Sequence, residues 1–176
     1  MAKRTLPQPY PKWRYFPQWA SPPAWVAALV NLISQTSQVD SNLSHHNSNE
    51  VLKHLASGLR ALGYKVEAGK VMSDRIPRPV FFGENGRVTK SYDIDAYHPG
   101  DRVAVEVEAG RSLDNNAIYK DLVQMCLMED VLFGAIVVPQ RYRGGSPYEG
   151  TVRAYEPIFS NPRFQLPLRG ILVVGY

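Results

Sequence analysis

Residues 91–110, SYDIDAYHPGDRVAVEVEAG, constrain the fold more than any other stretch of the chain. Acidic and apolar residues alternate on both sides of HPGD, which is turn chemistry. Alternation with a period of two marks strands. The stretch therefore reads as two strands, 92–97 and 102–108, joined by a tight turn. Side chains two apart share a face, so Asp93 goes with Asp95 and Glu106 with Glu108. A closed hairpin would gather up to four carboxylates. Valines interleave the second pair and bury that strand's other face. Like charges held close in a poorly solvated place raise one another's pKa or demand a cation. An all-oxygen donor set suits Mg²⁺, Mn²⁺ or Ca²⁺ rather than zinc. The competing reading is a solvated acidic face that discourages edge pairing. Gly110, Arg111 and an amphipathic helix beyond them favour the first.

The remaining chain supplies elements on either side. Residues 1–23 mix prolines with Tyr10, Trp13, Tyr15, Phe16 and Trp19 and cannot form a regular helix. These rings either stack on bases beside Lys12 and Arg14 or bury themselves by wrapping the domain or a partner. Pro22 and Pro23 open a helix at Ala24, with apolar Trp25, Val26, Leu29, Val30, Leu32 and Ile33. Residues 35–49 form a polar loop, where His45 and His46 are either ligands or solvated. Asn47 and Glu50 have capping-box spacing. The helix they start carries the stripe Val51, Leu52, Leu55, Leu59 and Leu62 and ends at Gly63.

Residues 64–70 read as a strand and 72–86 as irregular, with a hairpin signal at Asn85-Gly86. After the acidic hairpin a helix is expected at about 117–130, its buried side formed by Ile118, Leu122, Val123, Cys126 and Leu127. Lys120 and Gln124 share another face. Residues 131–139 suit a central strand buried on both sides. A Gly-rich loop spans 140–150, residues 157–167 are irregular, and 171–174 form a last strand. The chain is one domain, divisible into a basic, aromatic segment with helix and loop (1–46) and an α/β core (47–176).

Charge separates these parts. No acidic residue precedes Asp40, whereas Lys3, Arg4, Lys12 and Arg14 do, and the remainder balances sixteen basic against sixteen acidic residues. The net charge of +4 therefore belongs to the N-terminal segment, and basic arms often contact phosphates. Arg75, Arg78, Arg111, Gln124, Arg141 and Arg143 are further candidates for nucleic-acid contact, against a background of ordinary surface charge. The lone Cys126 excludes an internal disulfide framework and reads as a small buried hydrophobe. The apolar runs fall far short of a membrane span, so a cytoplasmic protein is expected.

Asp95, a short hairpin, Glu106-x-Glu108 on the next strand and a helix after it resemble the PD-(D/E)XK nuclease superfamily over roughly residues 47–139. The matching residues are Ile94, Asp95, Ala96 and Tyr97, then VAVEVEAG at 103–110, with an eleven-residue step from Asp95 to Glu106. The resemblance implies a central mixed β-sheet flanked by helices, as in restriction endonucleases, and a metal-dependent DNA endonuclease. Asp95 and Glu106 would bind Mg²⁺ or Mn²⁺ with the Val107 carbonyl, and Glu108 would position or deprotonate the attacking water. Glu50 either reaches the metal or only caps its helix. The superfamily's usual Lys falls at position 108, which is Glu here, as in some type II restriction endonucleases. Lys120 can supply a relocated ammonium. Cutting two strands suits a homodimer. Two other classes stay open: a nucleic-acid-binding protein that kept the fold without cleavage, and an assembly protein whose aromatic arm docks a partner.

Overall fold

A computed structural model of the chain describes residues 10–69, 71–110 and 116–176. Among these residues a six-stranded mixed sheet forms the centre, in the order β1-β8-β7-β6-β5-β2. Strands β6 (Val103–Val107), β7 (Phe133–Val138) and β8 (Gly170–Gly175) run parallel in the middle. Antiparallel β1 (Lys12–Phe16) flanks β8, while antiparallel β5 (Ala96–His98) and the two-residue β2 (Lys65–Val66) extend the other side.

Strand alternation sorts the core into two layers. Val103, Val105, Val107, Ala135, Val137, Leu172 and Val174 face helices α1 (Ala24–Gln35) and α2 (Ser48–Ala61). Ala104, Ile136, Val138, Ile171 and Val173 face α3 (Ala117–Leu127) and α4 (Pro147–Ser160). Both faces are covered, which is why the middle strands are nearly continuous apolar runs. The same alternation sends Glu106 to the side of Ala104, under α3. No helix among the described residues is long and apolar enough to cross a membrane.

Two rings of the aromatic segment belong to this core. Tyr15 packs in the layer with α1 and Phe16 in the opposite one, stacked 5.5 Å from Phe159. Trp13 and Trp19 stay exposed, Trp19 at 77%. Helix α2 starts with the expected capping box: Asn47 accepts from the Glu50 amide, and the Asn47 amide donates to Glu50 Oε2 at 2.8 Å. Gly63, at φ +95°, ends it in the left-handed conformation that glycine tolerates.

The fold departs from the sequence pattern in four places. The strand expected at 92–97 is broken. β4 (Val88–Asp93) pairs with β3 (Pro77–Phe82) in a separate two-stranded ribbon, and the chain crosses through buried Ile94 before β5 joins the main sheet. Residues 77–82, expected to be irregular, are therefore a strand. A strand with one neighbour tolerates Pro77 and Pro79 because half of its amides need no partner. Of the strand expected at 64–70, only Lys65 and Val66 form a strand among the described residues, which leave out residue 70. Residues 147–160 form α4, which the Gly-rich run and Pro157 obscured; Ser146 caps it by accepting from the Glu149 amide, and Pro147 occupies its first turn.

Candidate active site

The hairpin β5–β6 sets Asp95 opposite Glu106. Ala96 pairs with Val105, and one residue further out the Val107 amide donates to Asp95 Oδ2 at 2.7 Å. Asp95 is thus tied to the strand that carries both glutamates. Its own backbone carbonyl accepts from the Glu67 amide at 2.8 Å, fixing it from the β2 side.

Helix α3 closes the site from above. Its buried side is Ile118, Asp121, Leu122 and Met125, while Val123 and Leu127 are exposed. The helix is turned relative to the sequence expectation, and the turn brings in a carboxylate that expectation omitted. Asp121 is only 2% exposed, and its Oδ2 has no hydrogen-bond partner. Its Oδ1 lies 3.3 Å from Lys120 Nζ. The signal was an acid three residues after Ile118 and four before Met125, on the stripe that buries. Tyr155 holds the first turn of α3 in place, donating from a buried hydroxyl to the Ile118 carbonyl at 2.6 Å.

Four carboxylates therefore share this space, and the affinity of Asp95, Glu106 and Glu108 for protons reflects it. Burial pushes Asp95 up to about 6; the Val107 amide works against that, while Glu67 and Asp121 reinforce it. Glu106 is raised well above the usual carboxylate range, chiefly by burial and then by Asp95, Asp121 and Glu108, with Lys120 offsetting part. Burial, then the charge of and hydrogen bond to Asp121, raise Glu108 to about 7. Lys120 is raised too: burial lowers it, but Asp121, Glu106 and Glu108 outweigh that. The cluster is costly as it stands. An oxygen-only set with an unpartnered buried oxygen fits a hard divalent cation. Among the described residues no group of three or more His, Cys, Asp or Glu side chains is already drawn into metal-binding positions.

The structure brings Asp95, Glu106, Glu108 and Lys120 together, adds Asp121, and takes others elsewhere. Glu50 is committed to the α2 cap, with His46 Nδ1 3.6 Å away. Asp93 leaves the cluster for Arg75, 3.0 Å away on the ribbon's open end. Arg78 pairs with Asp130 at 2.9 Å and lies over the Tyr97 ring. Lys12, Arg141 and Arg143 line one groove of about 700 Å³, where Lys12 pairs with Glu149. An adjoining groove, sharing Tyr142 and Arg143, runs to Gly110 just past Glu108. Tyr142 packs so closely on Gly110 that a side chain there would collide with its ring. Arg14 is exposed on β1 and hydrogen-bonds to Tyr148. Gln124 is half-buried one turn past Lys120. Arg111 lies outside the described residues.

A mixed six-stranded sheet with helices on both faces and carboxylates on its inner hairpin defines an α/β domain of the restriction-endonuclease-like kind. Residues 2–159 match the model of a family described as "Putative halobacteria restriction endonuclease", and the chain belongs to that family. No curated protein matches the chain.

Proposed function

We propose that this protein is a divalent-metal-dependent endonuclease acting on DNA. The observation that carries the reading is the convergence of Asp95, Glu106, Glu108 and Asp121 beside Lys120, in a member of a restriction endonuclease family. Asp95 and Glu106, with the Val107 carbonyl, would hold Mg²⁺ or Mn²⁺. The bound cation would acidify a water and offset charge on the phosphate oxygens. Glu108, poised near neutrality, takes a proton from the attacking water, which suits a general base. Asp121 adds to the burial that raises the affinity of Glu108 for that proton. Lys120, mostly exposed and paired with Asp121, would exchange that partner for a phosphate while its charge lowers the glutamates' affinity for protons.

Lys12, Arg141 and Arg143 in the groove, with Arg14, Arg75, Arg78, Arg111 and Gln124 as further candidates, supply cationic or polar contacts for a backbone. A second copy related by a two-fold axis would present a second site to the opposite strand. Plasmid incubated with Mg²⁺, Mn²⁺ or EDTA tests the reading. Cutting with either cation and none in EDTA is expected. Glu108 in place of the superfamily Lys favours one other reading, a protein that binds DNA without cutting. Salt-dependent binding by the folded protein with no cutting in either cation would establish that instead.

A further inference from the structure

The β3–β4 ribbon stands apart from the rest of the fold. Among the described residues its strands pair only with each other. Its root is fixed: Arg78 pairs with Asp130 at 2.9 Å, the Glu129 amide donates to the Pro79 carbonyl at 3.3 Å, and Arg75 meets Asp93 at 3.0 Å. Beyond the root, Phe81 and Phe82 are 59% and 47% exposed. Rings of this size are usually buried. The ladder is irregular between Pro79 and Phe81 and again between Phe81 and Phe82, and bulges re-aim side chains. Arg87 and Lys90 are exposed on the facing strand and its turn.

The ribbon is also locked to the carboxylate site. β4 ends at Asp93, and only Ile94, 1% exposed, separates it from Asp95. A two-stranded ribbon fits a DNA groove. Cations on it neutralise phosphates, and exposed rings unstack base steps as apolar wedges do. Self-association is the less favoured occupant. A two-fold contact through the ribbon would bring Arg87 and Lys90 toward their own copies, with Glu84 the one acid near the tip.

We infer that the β3–β4 ribbon is a DNA-engaging arm, in which Arg87 and Lys90 hold phosphates flanking the cleaved site and an exposed ring, Phe81 or Phe82, wedges against a base step. This rests on the nuclease reading. The test measures binding of the full chain to duplexes carrying 2-aminopurine at successive positions, in EDTA, across a salt series. Wild type should raise the fluorescence at one or two adjacent positions. Phe81→Ala/Phe82→Ala should lose that rise and bind ~10-fold more weakly at an unchanged salt slope. Arg87→Ala/Lys90→Ala should lower the salt slope by about 2. The arm is overturned if wild type binds and cuts DNA and both double variants match it in affinity, slope and fluorescence. Loss of a dimer by the Phe variant, with affinity per subunit unchanged, overturns it in favour of self-association. If wild type neither binds nor cuts DNA, the nuclease reading fails, and the arm with it.

Discussion

The amide of Val107 donates to the carboxylate of Asp95 at 2.7 Å across the β5–β6 hairpin. One amide-to-carboxylate bond thus links the acid that precedes β5 to the strand that carries Glu106 and leads into Glu108. It places three carboxylates in register, and α3 lays Asp121 over them. From this arrangement the site's cost and its use both follow.

The cost should be visible as pH-dependent stability. Asp95, at about 6, and Glu108, at about 7, stay protonated in the fold while an unfolded chain has already released those protons. Between about pH 4 and 7 the folded state therefore binds more protons, and stability falls as pH rises. Glu106, raised further, extends the loss upward. Thermal melts of metal-free protein should show wild type losing a few kcal/mol, to order of magnitude, relative to Glu106→Gln across that window. Mn²⁺ should recover the loss for wild type and much less for the variant. Parallel melting curves at all pH values would contradict this.

Asp121 should matter to activity although it lies in a helix after the hairpin. Asp121→Asn keeps the shape and removes a charge that raises both Glu106 and Glu108. The acid limb of the pH–rate profile should move to lower pH, and cleavage should fall ~10- to 100-fold, the usual scale for groups that orient a metal site. An unmoved limb would show that Asp121 does not act on Glu108.

Lys120 acts in the opposite direction. Its charge lowers Glu106 and Glu108, so Lys120→Met should move the same limb to higher pH and slow cleavage ~10- to 100-fold. The side chain is 62% exposed, so the melting temperature should hardly change. Lys120→Arg should restore the limb's position. A Met variant with wild-type rate and limb would remove Lys120 from the mechanism.

Glu50 separates a capping acid from a metal ligand. With the capping box broken, Glu50→Ala should cost roughly 0.3–1.5 kcal/mol in denaturant unfolding. It should leave the rate at saturating Mg²⁺ within about twofold of wild type, because Glu50 is engaged with Asn47. A large rate loss at unchanged stability would return Glu50 to the metal site.

The sequence made some of this legible and hid the rest for local reasons. Val103, Val105 and Val107 against Glu106 and Glu108 announced a buried strand with an acidic face, and the Asn47–Glu50 spacing announced a cap. The break after Asp93 was hidden because Asp93 and Asp95 alternate as one strand would, while Arg75, which draws Asp93 away, lies eighteen residues earlier. Asp121 was hidden because the apolar residues of α3 admit two phases. Val123, Cys126 and Leu127 suggest one face, and Met125 with Ile118 and Leu122 another; packing on Ile136 and Ile171 selects the second. Ser146-Pro147 did carry start signals for α4, outweighed by the glycines before them and Pro157 after.

Whether these carboxylates do the cutting comes down to Glu106. The decisive comparison is single-turnover cleavage of a plasmid in Mg²⁺ by wild type and by Glu106→Gln, each shown folded by circular dichroism. Metal-dependent cutting by wild type is expected, with a loss of at least ~100-fold in the variant, the scale on which removing one electrostatic partner of a transition state acts. Equal rates for the two proteins would contradict it.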